Sequence, residues 1–413
     1  MRLGYKHDIQ SDAVADRYWN NTVLPLLNNG SLEHAISGTY AYPNRIGLYP
    51  GINCQFFCTF CGRNYNAKYS KSVADESFLT FQKVIDQDPK TGQWEDRFRI
   101  SGGLEPLTNP HIGKIISYGN DNGFKMQLYT NGYALTPKLL EKQMGILDLE
   151  VMRVSLYGHN QTSYANVTKN NKAYSRVIKN LKDLCKIVDI GDSNIKLGVN
   201  WIILPGHSGD LVSVFEMLRE INSASDTKIS FITLREDFSQ SNNYISDVER
   251  EELYKTFCLI EEMCAKDDVL KDLHIDYGYA LYPVRHGFNV GPLKMATYDQ
   301  LGRHGFPQIA TAVDSIGSLY VYHETGFLER PGSERYIIGN IHTDWDAQKS
   351  STLNSIEQIT RNFLESDGIK PLPFDVGFLD AFDHTVTLLI NEAKGYIEQG
   401  LDWKEELEEK WKR

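Results

Sequence analysis

Short runs of alternating or continuous apolar residues recur along the chain, with amphipathic stretches between them. The strand-like runs are Arg45–Tyr49, Arg97–Ser101, Lys125–Thr130, Val151–Tyr157, Ile195–Leu204, Lys228–Arg235 and Leu273–Tyr279. Apolar residues spaced by three and four mark helices over Glu76–Asp86, His111–Asn120, Pro137–Met144, Tyr174–Val188, Asp210–Asn222 and Asp247–Lys266. The pairs Gly102-Gly103, Asn131-Gly132 and Pro205-Gly206 punctuate strand ends. Repeated β–α units of this length predict a parallel sheet with right-handed crossovers, and functional groups then gather at the C-terminal strand ends.

The flanks read differently. Residues 1–44 form a helical preface, in which Asp12–Ile36 carries Tyr18, Trp19, Leu24 and Leu27. After about Pro283 the α/β rhythm stops. Gln308–Val313 and Ser318–Tyr322, joined through Asp314-Ser315-Ile316-Gly317, predict a β-hairpin. A strand over Tyr336–Ile341 follows, then helices near Ser355–Glu365 and Phe378–Gln399, and Asp402–Arg413 reads as a charged, solvated helix. The expected division is a preface over 1–44, a parallel α/β domain over 45–282 and a small α+β extension over 283–413.

Composition narrows the function. Of 413 residues, 41 % are hydrophobic and 23 % charged, which is ordinary globular usage. The 43 Lys+Arg face 54 Asp+Glu for a net charge of −11, so no global basic field exists for nucleic acid. An anionic substrate must therefore meet a local cluster of Arg and Lys. No apolar run reaches membrane-spanning length, and Met1–Asp8 lacks an apolar signal core, so a soluble, cytoplasmic protein is expected.

Six cysteines are too few and too unevenly spaced for a disulfide scaffold. Three stand together in Cys54-Gln55-Phe56-Phe57-Cys58-Thr59-Phe60-Cys61, while Cys185, Cys258 and Cys264 lie in helical stretches. A structural zinc site normally takes four ligands, and no fourth Cys or His is nearby in sequence. Three thiolates on a four-iron cubane leave one iron open to a small molecule. Phe56, Phe57 and Phe60 would shield such a cluster from water, or serve simply as packing.

The CxxxCxxC spacing directly after the first strand resembles the signature of the radical S-adenosylmethionine (radical SAM) enzymes. The resemblance implies a partial (β/α)6 barrel, one [4Fe-4S] cluster on Cys54, Cys58 and Cys61, and SAM bound to the open iron. It also implies an electron donor such as flavodoxin or ferredoxin. The turn Ser101-Gly102-Gly103-Leu104-Glu105-Pro106 resembles the family's GGE motif with one residue inserted. Gly102, Gly103 and Glu105 are thereby expected to hold the SAM amino group. Asn131, Arg153 and Ser155, at or near the next two strand ends, are further expected SAM ligands, Arg153 for the carboxylate. The bland alternatives are a glycine turn, an Asn-Gly turn and packing.

A longer ordered series extends the likeness: Tyr18-Trp19-Asn20-Asn21-Thr22, Gly47-Leu48-Tyr49-Pro50-Gly51, Gly102-Gly103-Leu104-Glu105-Pro106-Leu107-Thr108-Asn109-Pro110 and Ser155-Leu156-Tyr157-Gly158. Arg235-Glu236-Asp237, His274 to Leu281 and Tyr322-His323-Glu324-Thr325-Gly326-Phe327 continue it. The series is similar to the radical SAM ammonia-lyases that act on nucleotide-linked 4-amino-4,6-dideoxy sugars in deoxysugar biosynthesis. That family has a longer N-terminal region, and a basic residue where His323 stands. The implied chemistry starts when a 5′-deoxyadenosyl radical takes hydrogen from C3 of the sugar. Loss of the C3 hydroxyl proton gives a ketyl, and ammonia leaves from C4 to yield a 3-keto sugar. Such a site needs a base for the hydroxyl and a group that keeps the amine protonated. Glu236, Asp237, Tyr279, His323 and Glu324 are the candidates. For the diphosphate, Arg235, Arg285 and Arg335 are the expected cations, with Lys294 and Arg330 also available.

Other endings remain open at this point. The same radical start serves dehydrogenases, epimerases and dehydratases of nucleotide sugars. Peptide maturation with auxiliary clusters is disfavoured because no cysteine follows Cys264. A zinc-binding module is the outside alternative.

Overall fold

A computed structural model describes residues 24–61, 66–90, 97–191, 193–237, 246–285, 305–322, 325–344, 355–369 and 381–411. Its centre is one sheet of ten strands: β1 (Arg45–Tyr49), β2 (Phe98–Ile100), β3 (Gln127–Thr130), β4 (Val151–Leu156), β5 (Lys196–Ile203), β6 (Phe231–Glu236), β7 (His274–Asp276), β8 (Ala310–Asp314), β9 (Ser318–Tyr320) and β10 (Ile337–Asn340). The order is β10-β9-β8-β1-β2-β3-β4-β5-β6-β7, so the sheet is open, with β10 and β7 at its edges. From β8 through β7 every neighbouring pair is parallel. The hairpin partners β8–β9 and β9–β10 are antiparallel.

Helices follow the strands in the expected alternation. They are α1 (Leu24–Asn28), α2 (Ser31–Ser37), α3 (Lys71–Asp86), α4 (Ile112–Asp121), α5 (Pro137–Lys142), α6 (Gln161–Thr168), α7 (Ala173–Gly191), α8 (Asp210–Asn222), α9 (Asp247–Lys266), α10 (Gly278–Arg285), α11 (Ser355–Glu365), α12 (Ala381–Glu398) and α13 (Trp403–Trp411). Side-chain caps set several starts. Ser70 Oγ accepts from the Val73 N–H at 3.4 Å, which begins α3 ahead of its periodic stretch. Helix α6 escapes the pattern because its sequence is polar and buries only Tyr164 and Thr168. It is defined instead by the reciprocal Asn160–Ser163 capping box.

Strand alternation gives the parallel sheet two different faces. Leu48, Leu128, Met152, Val154, Leu156, Val199 and Ile232 are fully buried in the main apolar core. Cross-strand partners share a face, so Tyr129, Arg153, Gly198 and Phe231 lie in one row, and Ser155, Asn200, Thr233 and Asp276 in the next. Gly198 leaves its place in that row to the Phe231 ring, since a Cβ there would sit 2.0 Å from it. This polar face, ending at the C-terminal strand ends, is where a site belongs.

The expected hairpin of β8 and β9 forms, and β8 also continues the parallel sheet beside β1, beyond the point where the rhythm of the sequence stops. Two expectations are revised. The run Leu273–Tyr279 is a strand only to Asp276, because Gly278 takes φ 58° and starts α10. The charged tail is not wholly solvated. Leu407 of α13 is buried with Leu26 and Leu32 of the preface and Val386, Leu389 and Ile390 of α12 in a second apolar cluster. Among the described residues no helix is long and apolar enough to cross a membrane.

Candidate active site at the strand ends

The loop from β1 to α3 carries Cys54, Cys58 and Cys61; Cys58 is buried and the other two are half-buried. None of the six cysteines is in a disulfide. Within the loop the Cys54 N–H donates to Asn53 Oδ1 (2.8 Å) and the Cys61 N–H to the Cys58 carbonyl (3.0 Å). On one side, the Ile52 and Asn53 amides donate to Thr108 Oγ1 (3.0 and 3.1 Å), and the Glu105 amide donates to the Asn53 carbonyl (2.8 Å). Gly51 makes that approach possible, since a Cβ there would sit 2.3 Å from the Leu104 carbonyl. On the other side, the Phe57 and Thr59 amides donate to the Thr168 and Val167 carbonyls, which end α6. Asn170 Nδ2 donates to the Gln55 carbonyl at 3.3 Å.

Aromatic rings surround the loop. Phe56 is buried edge-on against Tyr133, Tyr157 and Tyr164, and Phe60 packs on Tyr157. Burial, with Cys58 close by, pushes the Tyr157 and Tyr164 hydroxyls well above the usual tyrosine range, so both stay neutral. Phe57 breaks the expected shield: its side chain is 42 % exposed. The three tyrosines were not singled out from sequence, where tyrosines are too numerous to stand out.

Three thiols of one loop suit a cluster whose irons each take one thiolate. Among the described residues no three His, Cys, Asp or Glu side chains converge on a point where a single ion would sit. A cubane asks for less, because its three sulfurs bind three different metals. Asn131 Nδ2 lies 3.8 Å from Cys54 Sγ and donates to Gln55 Oε1 at 3.3 Å, an amide placed to hydrogen-bond a thiolate. The donor set therefore fits the group.

The Gly102-Gly103 turn lies after β2, with φ of 59° and 53°. A Cβ on Gly102 would stand 2.2 Å from the Tyr49 ring, so the turn is open to glycine alone. Glu105, expected at the SAM amino group, also serves within the protein. It is buried, and its carboxylate accepts from the Leu107 amide (3.1 Å), Thr130 Oγ1 and the Asn131 amide (2.8 Å). It ties the end of β2 to the end of β3. Asn131, expected as a SAM ligand, lies against the cysteine loop, with its Oδ1 accepting from the Tyr133 amide.

Other expected ligands separate into those at the strand ends and those committed elsewhere. Arg153 donates to Gln127 Oε1 (2.8 Å) at the start of β3 and lies over the Tyr129 and Phe231 rings. It therefore points back along the sheet, away from the strand ends where a SAM carboxylate would lie. Ser155 sits one step nearer those ends, level with Asn200. Glu236 faces the helices and pairs with Arg250 of α9 at 2.8 Å, both side chains buried, which removes it as a free base. Asp237 is buried directly after β6 and Arg235 is exposed on the polar face. Arg285 forms a two-pronged pair with Glu261, which also accepts from Tyr277 Oη, so it holds α10 to α9 and is not available to a diphosphate. Arg335 is exposed on the short helical turn Ser333–Tyr336 before the edge strand β10. Arg330 is buried against the Phe327 ring. The side chain of Tyr279, and residues His323, Glu324 and Lys294, lie outside the described residues.

One cluster was missed. Asp210 Oδ2, at the start of α8, lies 3.0 Å from His207 Nδ1 and 3.6 Å from His159 Nδ1. These groups follow β4 and β5 at the same end of the sheet as the cysteines. The paired Gly-His steps after the two strands, Gly158-His159 and Gly206-His207, were the available signal.

The Radical SAM superfamily model matches residues 48–218. The chain is 35 % identical to the dTDP-4-amino-4,6-dideoxy-D-glucose ammonia-lyase of Streptomyces venezuelae, over 95 % of this chain and 78 % of that one. It is 28 % identical to the AdoMet-dependent heme synthase of Methanosarcina barkeri (strain Fusaro), over 30 % of this chain and 34 % of that one. Among solved structures, Streptococcus suis SuiB bound to precursor peptide SuiA superposes with a TM-score of 0.48 at 12 % identity, covering 81 % of this chain and 76 % of that one.

Proposed function

The chain belongs to the radical SAM superfamily, in the family of the dTDP-4-amino-4,6-dideoxy-D-glucose ammonia-lyase, and from that premise we propose that it eliminates ammonia from a nucleoside-diphosphate-linked 4-amino-4,6-dideoxy sugar. The observation that carries this reading is 35 % identity spread over 95 % of the chain, beyond the segment common to the superfamily. A single [4Fe-4S] cluster on Cys54, Cys58 and Cys61, with SAM and an external one-electron donor, supplies the radical that takes hydrogen from C3.

The remaining work falls to this chain's own side chains. Asn131 hydrogen-bonds the Cys54 thiolate and fixes its orientation. The Phe56, Tyr133, Tyr157 and Tyr164 rings keep water from that side of the loop. The carbonyls of Gly102 and Gly103, turned out by their left-handed backbone, receive the SAM ammonium in place of Glu105. Ser155 is assigned to the SAM ribose or carboxylate. Arg235, exposed at the end of β6, takes the diphosphate, and Asp237 beside it receives the C3 hydroxyl proton. His323 and Glu324 are assigned to the sugar's 4-substituent, where a protonated amine leaves as ammonia.

Reduced, reconstituted enzyme incubated with SAM and the dTDP-linked 4-amino sugar tests this. Free ammonia and a 3-keto-4-deoxy sugar are expected, in step with 5′-deoxyadenosine, the radical left when ammonia departs being closed by one further electron from the donor and one proton. A product that keeps its nitrogen and gains only a ketone would make the enzyme a dehydrogenase.

A further inference from the structure

A buried polar atom without a partner costs stability unless a ligand supplies the missing bond. Asn200 of β5 holds such an atom. The residue is 7 % exposed, and among the described residues its Oδ1 accepts no hydrogen bond. It stands on the face opposite the helices, because Leu197, Val199, Trp201 and Ile203 of the same strand fill the main core. Its partners across the sheet are Ser155 on β4 and Thr233 on β6. Thr233 is equally buried, and its hydroxyl likewise makes no hydrogen bond among the described residues.

The pair lies between the places assigned to the two ligands of the reaction. Ser155, one strand nearer the cysteines, is assigned to SAM. Arg235 stands two residues beyond Thr233, about 6.6 Å further toward the strand ends, and is assigned to the diphosphate. A sugar ring that hangs from that diphosphate and reaches toward SAM therefore passes over Asn200 and Thr233. On the side away from the strand ends the face is closed. The Phe231 ring lies across Gly198, where a Cβ would sit 2.0 Å from it, and Arg153 lies over the same ring.

We propose that Asn200 and Thr233 read the C2 hydroxyl of the sugar. The inference rests on the nucleotide-sugar reading above, which supplies the ligand. The amide oxygen can only accept, so what meets it must donate. Neighbouring strands lie about 4.8 Å apart, which lets one hydroxyl donate to Asn200 Oδ1 while it accepts from Thr233 Oγ1. A 4-amino-4,6-dideoxy hexose held through C1 keeps hydroxyls at C2 and C3 alone. The C3 hydroxyl gives up its proton in the reaction, and neither a carboxamide nor an alcohol is a base for it. The C2 hydroxyl stays intact throughout, which suits two neutral partners. Holding it fixes the adjacent C3–H toward SAM, so the pair sets both position and specificity.

The test titrates the reconstituted, SAM-loaded full chain by calorimetry, without reductant so that nothing turns over. The ligands are dTDP, the dTDP-linked 4-amino-4,6-dideoxy sugar and its 2-deoxy analogue. The parent should bind the analogue about tenfold or more weaker than the full sugar, because the pair is then left unsatisfied. Asn200→Leu, close in shape but without polar atoms, should bind the full sugar about tenfold or more weaker and cease to distinguish the two sugars. Its affinities for dTDP and SAM should stay as in the parent. Its ligand-free Tm should rise, since the unsatisfied carboxamide is gone. Thr233→Val should move sugar affinity the same way by a smaller factor. A parent that binds both sugars equally would overturn the inference, as would an Asn200→Leu chain that discriminates as the parent does. So would a loss confined to SAM affinity, which would give the pair to the SAM ribose, or a lower Tm with every affinity unchanged, the mark of a purely structural role. These affinities do not depend on whether ammonia is lost or the sugar oxidised, so a failure of the lyase reading is seen separately, in the products.

Discussion

Replacing Glu105 by Gln separates two roles that a strand-end carboxylate can play. In the structure its two oxygens accept from Leu107, Thr130 and Asn131, and all three donors are buried. A glutamine keeps one acceptor and presents an NH2 on the other side. Whichever way the amide turns, at least one buried N–H faces a donor, and the charge-assisted character of the remaining bonds is lost. An unsatisfied buried donor costs about 1–3 kcal/mol, so a total near 2–3 kcal/mol is expected. For a chain of 413 residues unfolding as one unit, that is a fall in Tm of about 3 °C. Glu105→Ala, which loses every acceptor, should fall further. Calorimetric melting of the reconstituted protein, paired with a SAM titration, is the assay. SAM affinity should change less than stability does, because the ammonium's partners are the glycine carbonyls. An unchanged Tm with SAM binding about tenfold weaker would refute the reasoning and return Glu105 to the ammonium.

Cys58→Ala should lose its iron on reconstitution, measured by metal analysis, whereas Cys185→Ala should retain it, because Cys185 is buried in the core away from the loop. Burial pushes the Cys185 thiol up to about 12 and Cys264 up to about 11, so at pH 8 only a minute fraction of either is thiolate. In cluster-free protein, alkylation followed by mass spectrometry should therefore mark exposed Cys258 long before these two, with their rates rising about tenfold per pH unit. Gly102→Ala combines a left-handed backbone with a Cβ 2.2 Å from the Tyr49 ring, and should cost about 3 kcal/mol or more, seen as a lower Tm together with reduced SAM affinity. Burial and neighbouring Lys83 hold the His342 pKa below the usual value of 6.5. Its neutral ring therefore stabilises the fold fully above pH 6.5 and less as the pH falls through its depressed pKa, so His342→Gln should flatten that part of the stability–pH curve.

Much of the frame was legible in apolar periodicity. The strand Arg45–Tyr49 and the helices Asp210–Asn222, Asp247–Lys266 and Ser355–Glu365 run where the pattern puts them, because each buries a face that the sequence writes plainly. Helix α6 and the buried Leu407 were not legible: the first depends on a side-chain cap, the second on a partner helix that local pattern does not reveal. The placing of the cysteines, the double-glycine turn and Asn131 at one end of the sheet was legible, because each directly follows a strand that the pattern marks. Glu236 and Arg285 were misread for one shared reason. A charge near a strand end looks like a ligand until the opposite charge is located, and Arg250 and Glu261 both come from α9. The ties made by Glu105 were not legible either, since its partners are a hydroxyl and two backbone amides, which no residue pattern advertises.

Those same hidden partners explain how a loop with no regular structure can hold three thiols in place. Each neighbouring β–α unit contributes at least one tie. From β8, Ser315 Oγ donates to the Tyr49 carbonyl at 3.2 Å, just before the loop begins. From β2 come the Thr108 hydroxyl and the Glu105 amide; from β3 comes the Asn131 carboxamide; from the unit after β4 come Val167, Thr168 and Asn170. Glu105 joins the second and third of these to one another. The loop is thereby fixed by bonds to four successive strands rather than by its own sequence, and the glycine turn opposite belongs to the same network through Gly51 and Leu104. A cluster entering such a loop pays little in reorganisation, and the positions of thiols and ammonium cradle are coupled. It follows that substitutions at Thr108 or Asn170, which touch no cysteine, should loosen the iron and weaken SAM together, whereas a change at Arg235 should leave both alone and affect only the nucleotide sugar.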